Sequence, residues 1–383
     1  MNKRNIYLKY LCVIILIITI FPTLSIYASA DSGEKQFSQS ISAKAAVLYE
    51  PTTGRFLYQK NSKQKLPMAS TTKIMTAIVV MHECNITDTV TIGPESTGIE
   101  GSSAYLKEGD EYSVLELLYA LLLQSANDAA TALAYYTAGG IEEFADLMNQ
   151  KSSALGVQNT HFTNPHGLHD EEHYTTAEDL AKIGAALLSD NILKEIVSTY
   201  KKNFTHEERR RTYINHNKLL QNYSGSIGIK TGFTKKSGRC LVSAAERDGL
   251  TLIAVTLDAP SDWSDHIKML DFGFNSLELI DICHKGDYAT NLKVLGGNKD
   301  TILISAKENL SIIKDKEDFD VIKYIKLPSY IIAPIQKNDV VGQVIYKVGN
   351  DEYTIDLIAN ESSNSTTKYN FIKKLIKRIK NIR

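Results

Sequence analysis

Cysteine is scarce in this chain: its 383 residues include four cysteines, and these are widely spaced. Cys12 falls in an N-terminal segment that we predict to be removed, which leaves Cys84, Cys240 and Cys283. Small exported proteins that depend on disulfides carry even, closely spaced sets of cysteines. The sequence therefore excludes a disulfide framework. A mature chain of about 350 residues can bury a full core without one.

The chain also lacks the His-Glu-x-x-His pattern of the zinc proteases. Its densest run of histidines, His161, His166, His169 and His173, does not have that spacing. A structural zinc site in this run is the minor alternative that the residues leave open. We predict that the protein uses neither a metal nor another cofactor.

An excess of positive charge is absent from the body of the chain. The first thirty residues hold 3 basic and no acidic residues, and residues 368–383 hold 7 basic and no acidic ones, so residues 31–367 carry 33 basic against 44 acidic residues. An acidic body argues against nucleic acid as a partner. A basic tail favours attraction to anionic lipid.

The N-terminus has the features of a secretory signal peptide at residues 1–30. Basic residues precede an apolar run from Tyr10 to about Leu24, and the small residues Ala28-Ser-Ala30 form a cleavage site. An uncleaved anchor is the alternative. In either case we expect an exported protein that works at the outer face of the cytoplasmic membrane, in the cell wall or in the periplasmic space.

The C-terminus, residues 361–383, is predicted to be a polar linker followed by an amphipathic helix. The apolar residues with helical spacing are Phe371, Ile372, Leu375, Ile376, Ile379 and Ile382. With lysine and arginine between them, such a helix is expected to lie in the membrane interface, and it is too short and too charged to span a bilayer. A surface helix packed on the protein is the alternative.

The body predicts an α+β fold. Two strands around a turn at 45–60 precede a mostly helical centre, with helices predicted at 112–123, 128–136, 141–155 and 176–188. From Gly228 three antiparallel strands follow, and a helix at about 264–273 covers them. Short alternating apolar runs make residues 276–360 a separate small all-β domain, after a first domain at 31–275.

The first of three short motifs is Ser70-Thr-Thr-Lys73, at the predicted start of a helix. A serine hydroxyl needs a base to become a good nucleophile, and this spacing puts both side chains on neighbouring faces of one helical turn. Burial and the positive end of the helix would favour a neutral Lys73. Ser70 is thus the candidate nucleophile and Lys73 its base, although such a short pattern is weak alone.

The second motif is Ser125-Ala-Asn127, in a turn between helices. Both polar side chains can point into one cleft. Ser125 could relay a proton to a leaving amine, and Asn127 could hold a substrate amide or orient Lys73. On its own, Ser-x-Asn is ordinary turn chemistry.

The third motif is Lys230-Thr231-Gly232, which is predicted to form an exposed strand edge. Such an edge can pair with an extended peptide, while Lys230 attracts a carboxylate and Thr231 donates to it. Gly232 leaves room for close approach of the backbone. A backbone N–H just past Gly232 could complete an oxyanion hole with the Ser70 N–H.

Taken together and in this order, the motifs resemble those of the D-alanyl-D-alanine carboxypeptidases of the low-molecular-mass penicillin-binding protein type. The resemblance extends over nearly the whole chain. Further matching stretches are Gly101-Ser-Ser-Ala-Tyr-Leu-Lys107, Asn164-Pro-His-Gly-Leu168, Ala333-Pro-Ile-Gln-Lys-Asn338 and Val340-Val-Gly342.

This resemblance implies a penicillin-binding or β-lactamase-like domain, in which an antiparallel sheet has helices on both faces, followed by the small all-β domain. It implies that a peptidoglycan stem peptide ending in D-Ala-D-Ala acylates Ser70 and releases its last D-alanine. Water then frees the trimmed peptide, and β-lactams acylate the same serine as inhibitors. Catalytic roles are implied for Ser70, Lys73, Ser125 and Asn127, and substrate-binding roles for Lys230, Thr231, Gly232 and Thr234.

The chain departs from the family pattern at two places. Many relatives have histidine after Lys-Thr-Gly, where this chain has Phe233. The arginine that some place near the start of the last helix is replaced by the stretch Asp262-Trp-Ser-Asp265. We therefore expect the terminal carboxylate of the substrate to be bound by Lys230, Thr231 and Thr234.

Two other functions are alternatives to a D-Ala-D-Ala carboxypeptidase. A β-lactamase would need a carboxylate placed for deacylation, and it has no use for a β domain or a membrane tail. A catalytically inactive wall-binding protein would not need to retain all the polar catalytic residue types that are present here.

Overall fold

The computed structural model describes residues 37–206, 209–317, 320–349 and 351–366. The predicted signal peptide at 1–30 and the predicted basic helix at 368–383 lie outside these ranges. Within them, no helix combines the length and the apolar character that crossing a membrane requires.

A five-stranded antiparallel sheet forms the centre of the first domain. The strands of this domain are β1 (Ala45–Glu50), β2 (Arg55–Lys60), β3 (Thr89–Thr91), β4 (Glu111–Ser113), β5 (Lys201–His206), β6 (Arg209–Ile214), β7 (Ser226–Thr234), β8 (Gly238–Arg247) and β9 (Leu250–Leu257). The central sheet has the order β2-β1-β9-β8-β7, whereas β3–β4 and β5–β6 are separate hairpins. The three strands predicted after Gly228 are confirmed, and the N-terminal hairpin extends the same sheet.

Helices supply most of the remaining structure of this domain. They are α1 (Lys73–Glu83), α2 (Val114–Leu123), α3 (Asn127–Ala138), α4 (Ile141–Ala154), α5 (Ala177–Leu188), α6 (Asn191–Ser198), α7 (Leu219–Asn222) and α8 (Asp262–Ser276). A 3-10 turn at Ala69–Thr72 leads directly into α1. The predicted helical centre is confirmed, and α6 is an addition to it.

Both faces of the central sheet are buried, because alternate residues of its strands meet different layers of helix. On one face Val47 and Val255 join a large cluster with α1 to α6. On the other, Leu48 and Leu252 pack against α8 at Met269. Each fully buried side chain of this kind contributes roughly 1.5–3 kcal/mol. The predicted arrangement of helices on both faces is therefore confirmed.

The chain after Ser276 forms a second, β-rich part. Its strands are β10 (Leu277–Cys283), β11 (Thr290–Leu295), β12 (Thr301–Ala306), β13 (Leu310–Asp315), β14 (Val321–Lys326), β15 (Ile331–Ile332), β16 (Val340–Val348) and β17 (Asp351–Ala359). β10 pairs with β13, and the others form a sheet of order β14-β16-β17-β12-β11-β15. Ile302, Ile304, Val344 and Leu357 belong to its own apolar core. This confirms the predicted all-β character of this region.

Candidate active site

Ser70 lies in the 3-10 turn, which a chain of hydrogen bonds holds in place. Ala69 just before it has a φ of 47°. Its carbonyl accepts from Thr72 Oγ1 at 2.7 Å, and Thr72 Oγ1 lies 2.7 Å from His173 Nε2. His173 Nδ1 accepts from the Thr163 N–H at 3.0 Å, so Nε2 carries the proton and donates to Thr72. Burial lowers the pKa of His173 to about 4, which keeps this chain of donors fixed at neutral pH.

The Lys73 amine is completely buried at the base of the same turn. Its Nζ lies 3.0 Å from Ser70 Oγ, 2.7 Å from Asn127 Oδ1 and 2.6 Å from the His166 carbonyl oxygen. Three oxygens from three separate segments thus surround one nitrogen. The structure brings the first two sequence motifs together at this atom.

The surroundings of Lys73 favour its neutral form. Burial lowers the pKa of Lys73 well below its ordinary value, the positive charge of Lys230 lowers it further, and Asp128 opposes the shift. A neutral amine has two N–H donors and one lone pair. The Asn127 and His166 oxygens take the two N–H donors, so the lone pair is directed at the Ser70 hydroxyl proton.

The loop at residues 164–168 supplies one of these acceptors through its backbone. Asn164 Oδ1 accepts from the Gly167 N–H at 2.7 Å and holds the loop closed. Gly167 has a φ of +85°, and a Cβ added there would lie 2.0 Å from the Ala69 carbonyl oxygen. Only glycine lets this loop approach the 3-10 turn at Ala69–Thr72, which we call the nucleophile turn, so closely. The stretch 164–168 was noted from sequence only as a match to the family, and its role as a backbone acceptor for Lys73 was not predicted.

Ser125 and Asn127 lie where α2 gives way to α3. Ser125 is 4% exposed with a φ of 62°, and Asn127 begins α3. The Asn127 side chain donates to the Glu100 carbonyl, and its backbone N–H donates to the Ser102 carbonyl at 2.7 Å. Asn127 therefore holds two groups in place: the loop at 100–106 and the Lys73 amine.

The neighbouring Asp128 also holds the loop at 100–106, through three hydrogen bonds. It accepts from the Ala104 N–H at 3.0 Å, the Leu106 N–H at 3.1 Å and the Ser103 hydroxyl at 2.6 Å. These bonds satisfy the buried carboxylate. They also place Ser102 at the wall of the cavity described below.

The edge strand β7 carries the third motif past the nucleophile. A Cβ added at Gly232 would lie 3.1 Å from the Ser70 nitrogen, the Thr71 nitrogen and the Met68 oxygen, so glycine permits the close contact. Lys230 is 1% exposed and donates to the Thr231 carbonyl at 2.9 Å. Burial lowers the pKa of Lys230 to about 7.

These elements enclose a cavity of about 340 Å³. Its walls are formed by Ser70, Ser102, Ser125, His216, Lys218, Thr231, Gly232, Phe233, Arg239, Asp262 and Trp263. The nucleophile, the second serine and the strand edge therefore open onto one space. Lys218 and Arg239 were not predicted from the sequence as site residues, and Asp262 was noted only as part of the stretch that replaces an expected arginine.

Thr234 is placed differently from the other predicted substrate-binding residues. Its hydroxyl lies 2.8 Å from Ser237 Oγ, and the Ser237 N–H donates to it at 3.0 Å. Thr234 thus closes the turn between β7 and β8, and it is not part of the cavity wall. In the described residues, no three His, Cys, Asp or Glu side chains converge as metal ligands would.

The buried lysine pair predicts an unusual dependence of stability on pH. Both pKa values are lowered in the folded protein, so between pH 7 and about 10 the unfolded state binds more protons and the free energy of unfolding rises with pH. Each lysine adds up to about 1.4 kcal/mol per pH unit. Denaturant titrations at several pH values should show a shallower slope for Lys230→Met than for the wild type. Equal slopes would contradict the lowered pKa of Lys230.

Comparison with known proteins places the chain in a family. A sequence profile for D-alanyl-D-alanine carboxypeptidase matches residues 31–261, and one for the C-terminal domain of penicillin-binding protein 5 matches residues 277–365. This chain belongs to the D-alanyl-D-alanine carboxypeptidase family. The family resemblance inferred from the motifs is therefore confirmed.

Individual members of the carboxypeptidase family match over most of their length. D-alanyl-D-alanine carboxypeptidase DacF of Bacillus subtilis is 34% identical over 351 residues, covering 89% of this chain and 90% of the relative. DacC of Escherichia coli is 34% identical over 326 residues, covering 81% of each. Penicillin-binding protein 5 of Haemophilus influenzae has a TM-score of 0.66 at 29% identity, and its structure covers 85% of this chain and 99% of its own.

Proposed function

We propose that this enzyme is a serine-type D-Ala-D-Ala carboxypeptidase that removes the terminal D-alanine from peptidoglycan stem pentapeptides and binds penicillins. The observation that carries the proposal is the buried Lys73 amine, 3.0 Å from Ser70 Oγ and with both its N–H donors engaged. This arrangement suits Lys73 to abstract the proton of the Ser70 hydroxyl. The family relationship supplies the substrate class.

In the acylation step, the Lys73 lone pair takes the Ser70 proton as Ser70 Oγ attacks the carbonyl carbon of the penultimate residue. The carbonyl oxygen becomes negative in the tetrahedral intermediate. The backbone N–H groups of Ser70 and Phe233 would stabilise it, since Gly232 brings their segments together.

The intermediate collapses by breaking the C–N bond of the last residue. The leaving amine must gain a proton, which Ser125 relays from Lys73, and free D-alanine departs. A water molecule then attacks the ester on Ser70, giving the carboxylate of the trimmed peptide and restoring the serine hydroxyl. Asn127 keeps Lys73 in position throughout.

Product analysis tests this proposal. We expect the purified enzyme, incubated with a stem pentapeptide ending in D-Ala-D-Ala, to yield a tetrapeptide and free D-alanine in equal amounts, as measured by mass spectrometry. An unchanged pentapeptide would contradict the proposal. Cleavage at an internal bond would contradict it as well.

One observation argues against a β-lactamase. The single carboxylate among the residues of the cavity wall, Asp262, is ion-paired with Arg239 at 2.9 Å. Its other oxygen, Oδ1, accepts from the Trp263 N–H at 2.9 Å, so both oxygens are engaged and neither is placed to activate a deacylating water. A stable penicillin adduct distinguishes the two functions, because a β-lactamase would hydrolyse the adduct rapidly.

For the cellular setting we propose an exported enzyme divided into a signal peptide (1–30), a catalytic domain (31–275), a β domain (276–360) and a linker with an amphipathic anchor (361–383). The basic, apolar-striped tail supports attachment to the outer face of the cytoplasmic membrane. The acidic body would not by itself be drawn to anionic lipid.

Deletion of residues 368–383 should release an active enzyme from the membrane. The expected result is a shift of penicillin-labelled protein from the membrane pellet to the supernatant, with unchanged labelling per molecule. Replacing the apolar residues of the tail by serine, with its charge intact, should have the same effect. Membrane attachment that persists after signal cleavage and tail deletion would contradict the anchor.

A further inference from the structure

The cavity wall has fixed positive charge that does not come from the third motif. Lys230 lies behind the wall, its Nζ donates to the Thr231 carbonyl, and burial lowers its pKa to about 7. Arg239 and Lys218 are exposed and line the cavity itself. An arginine keeps its charge across the whole working range of pH. A negative group entering the cavity therefore meets Arg239 and Lys218 before it meets Lys230.

Arg239 is held in a defined place. Arg239 is the second residue of β8, and its backbone pairs with that of Phe233 on β7. Its Nη2 lies 2.9 Å from Asp262 Oδ2, and Asp262 is nearly fully buried at the first residue of α8. The guanidinium carbon lies 5.9 Å from the centre of the Trp263 ring. A guanidinium has five N–H donors in a planar fork, so the contact with Asp262 leaves donors for a second partner.

Arg239 lines the same cavity as Ser70, and on the neighbouring strand it pairs with the residue that follows Gly232. Thr231 and Gly232 pass the nucleophile, and the next residue, Phe233, pairs with Arg239. One residue spans about 3.3–3.6 Å, so a single amino acid beyond the scissile bond carries its carboxylate a short way along the strand from Ser70. Ser70 and Arg239 line the same cavity, so a carboxylate one residue beyond the scissile bond stays within the space that Arg239 lines.

We propose that Arg239, oriented by Asp262, binds the terminal carboxylate of the substrate and makes the enzyme specific for a free C-terminus. This inference rests on the proposed function and assigns to Arg239 the role suggested from sequence for Thr234, whose hydroxyl closes a turn. It also gives Asp262 a role: the residue that stands where an arginine was expected positions an arginine from the neighbouring strand.

Two substrates that differ in one charge test the proposal. One is a stem pentapeptide ending in D-Ala-D-Ala, and the other is the same peptide with a C-terminal amide. For Arg239→Gln we expect kcat/KM for the free acid to fall about 10–100-fold, mainly through KM, as loss of a charged hydrogen bond predicts. For the amide we expect a change of less than about twofold. Arg239→Lys should recover part of the loss for the acid only.

The control is Lys236→Gln, which removes one positive charge from the same hairpin outside the cavity wall; its Nζ lies 3.3 Å from Glu171. It should leave both substrates unchanged. Equal losses for acid and amide in Arg239→Gln, or no loss for either, would overturn the carboxylate assignment and leave the proposed function intact. If the wild type released neither D-alanine from the acid nor D-alanine amide from the amide, the proposed function would fail and this inference with it.

Discussion

Replacement of Lys73 by methionine is expected to lower the rate of acylation by penicillin about 10²–10⁴-fold, the range that a positioned general base contributes. The Ser70 hydroxyl would then lack the lone pair that takes its proton, 3.0 Å away in the wild type. Lys73→Arg should be as inactive, because an arginine stays protonated and cannot act as a base. Stopped-flow measurement of adduct formation gives the rates.

Folding should survive the loss of this lysine. Methionine leaves the Asn127 and His166 oxygens without their donor, and the lower desolvation cost of its side chain offsets part of that loss, so we expect a lower melting temperature but native circular dichroism. Lys63→Met, at an exposed site, is the matched control for loss of a lysine. Normal acylation by Lys73→Arg would refute the role of Lys73 as a neutral base, because the cation alone would then suffice.

Replacement of Gly167 by alanine is expected to reduce acylation more than about 100-fold, although Gly167 carries no chemistry. The new Cβ would lie 2.0 Å from the Ala69 oxygen and 2.4 Å from the Ala69 carbonyl carbon, and both are backbone atoms that cannot rotate away. Either the nucleophile turn or the loop must move. A shift of about 1 Å in a catalytic group can cost 10²-fold in rate, and the His166 acceptor of Lys73 would move with the loop.

Gly109 offers a matched control for this substitution. It has a φ of +82°, close to the +85° of Gly167, but an added Cβ there meets nothing within 4 Å. Gly109→Ala therefore shares the backbone strain, about 1 kcal/mol, without the clash. We expect it to acylate normally. Equal loss of activity in both variants would show that strain, and not the contact with the nucleophile turn, is responsible.

Much of the site follows from sequence because its side chains are contributed by short local patterns. Ser70 and Lys73 are brought together by one helical turn, and Ser125 and Asn127 by one tight loop. The near-continuous apolar runs of β8 and β9 likewise identify strands in a sheet with two buried faces. In each case the information lies within a few residues of chain.

The rest depends on groups and contacts that residue patterns do not encode. The His166 acceptor is a backbone carbonyl, which every residue has, and only its loop geometry directs it to Lys73. The β5–β6 hairpin is rich in charged residues and lacks the apolar alternation by which strands are recognised. The pairing of Arg239 with Asp262 joins residues 23 positions apart through the tertiary fold.

Mapping the site of the β-lactam adduct is the most direct test of the central claim, which is that the buried Lys73 activates Ser70 for covalent acyl transfer. The intact protein should gain the mass of one penicillin, and proteolysis should place that mass on the peptide containing Ser70. Ser70→Ala should gain no mass. An adduct on another residue, or one retained in Ser70→Ala, would contradict the account.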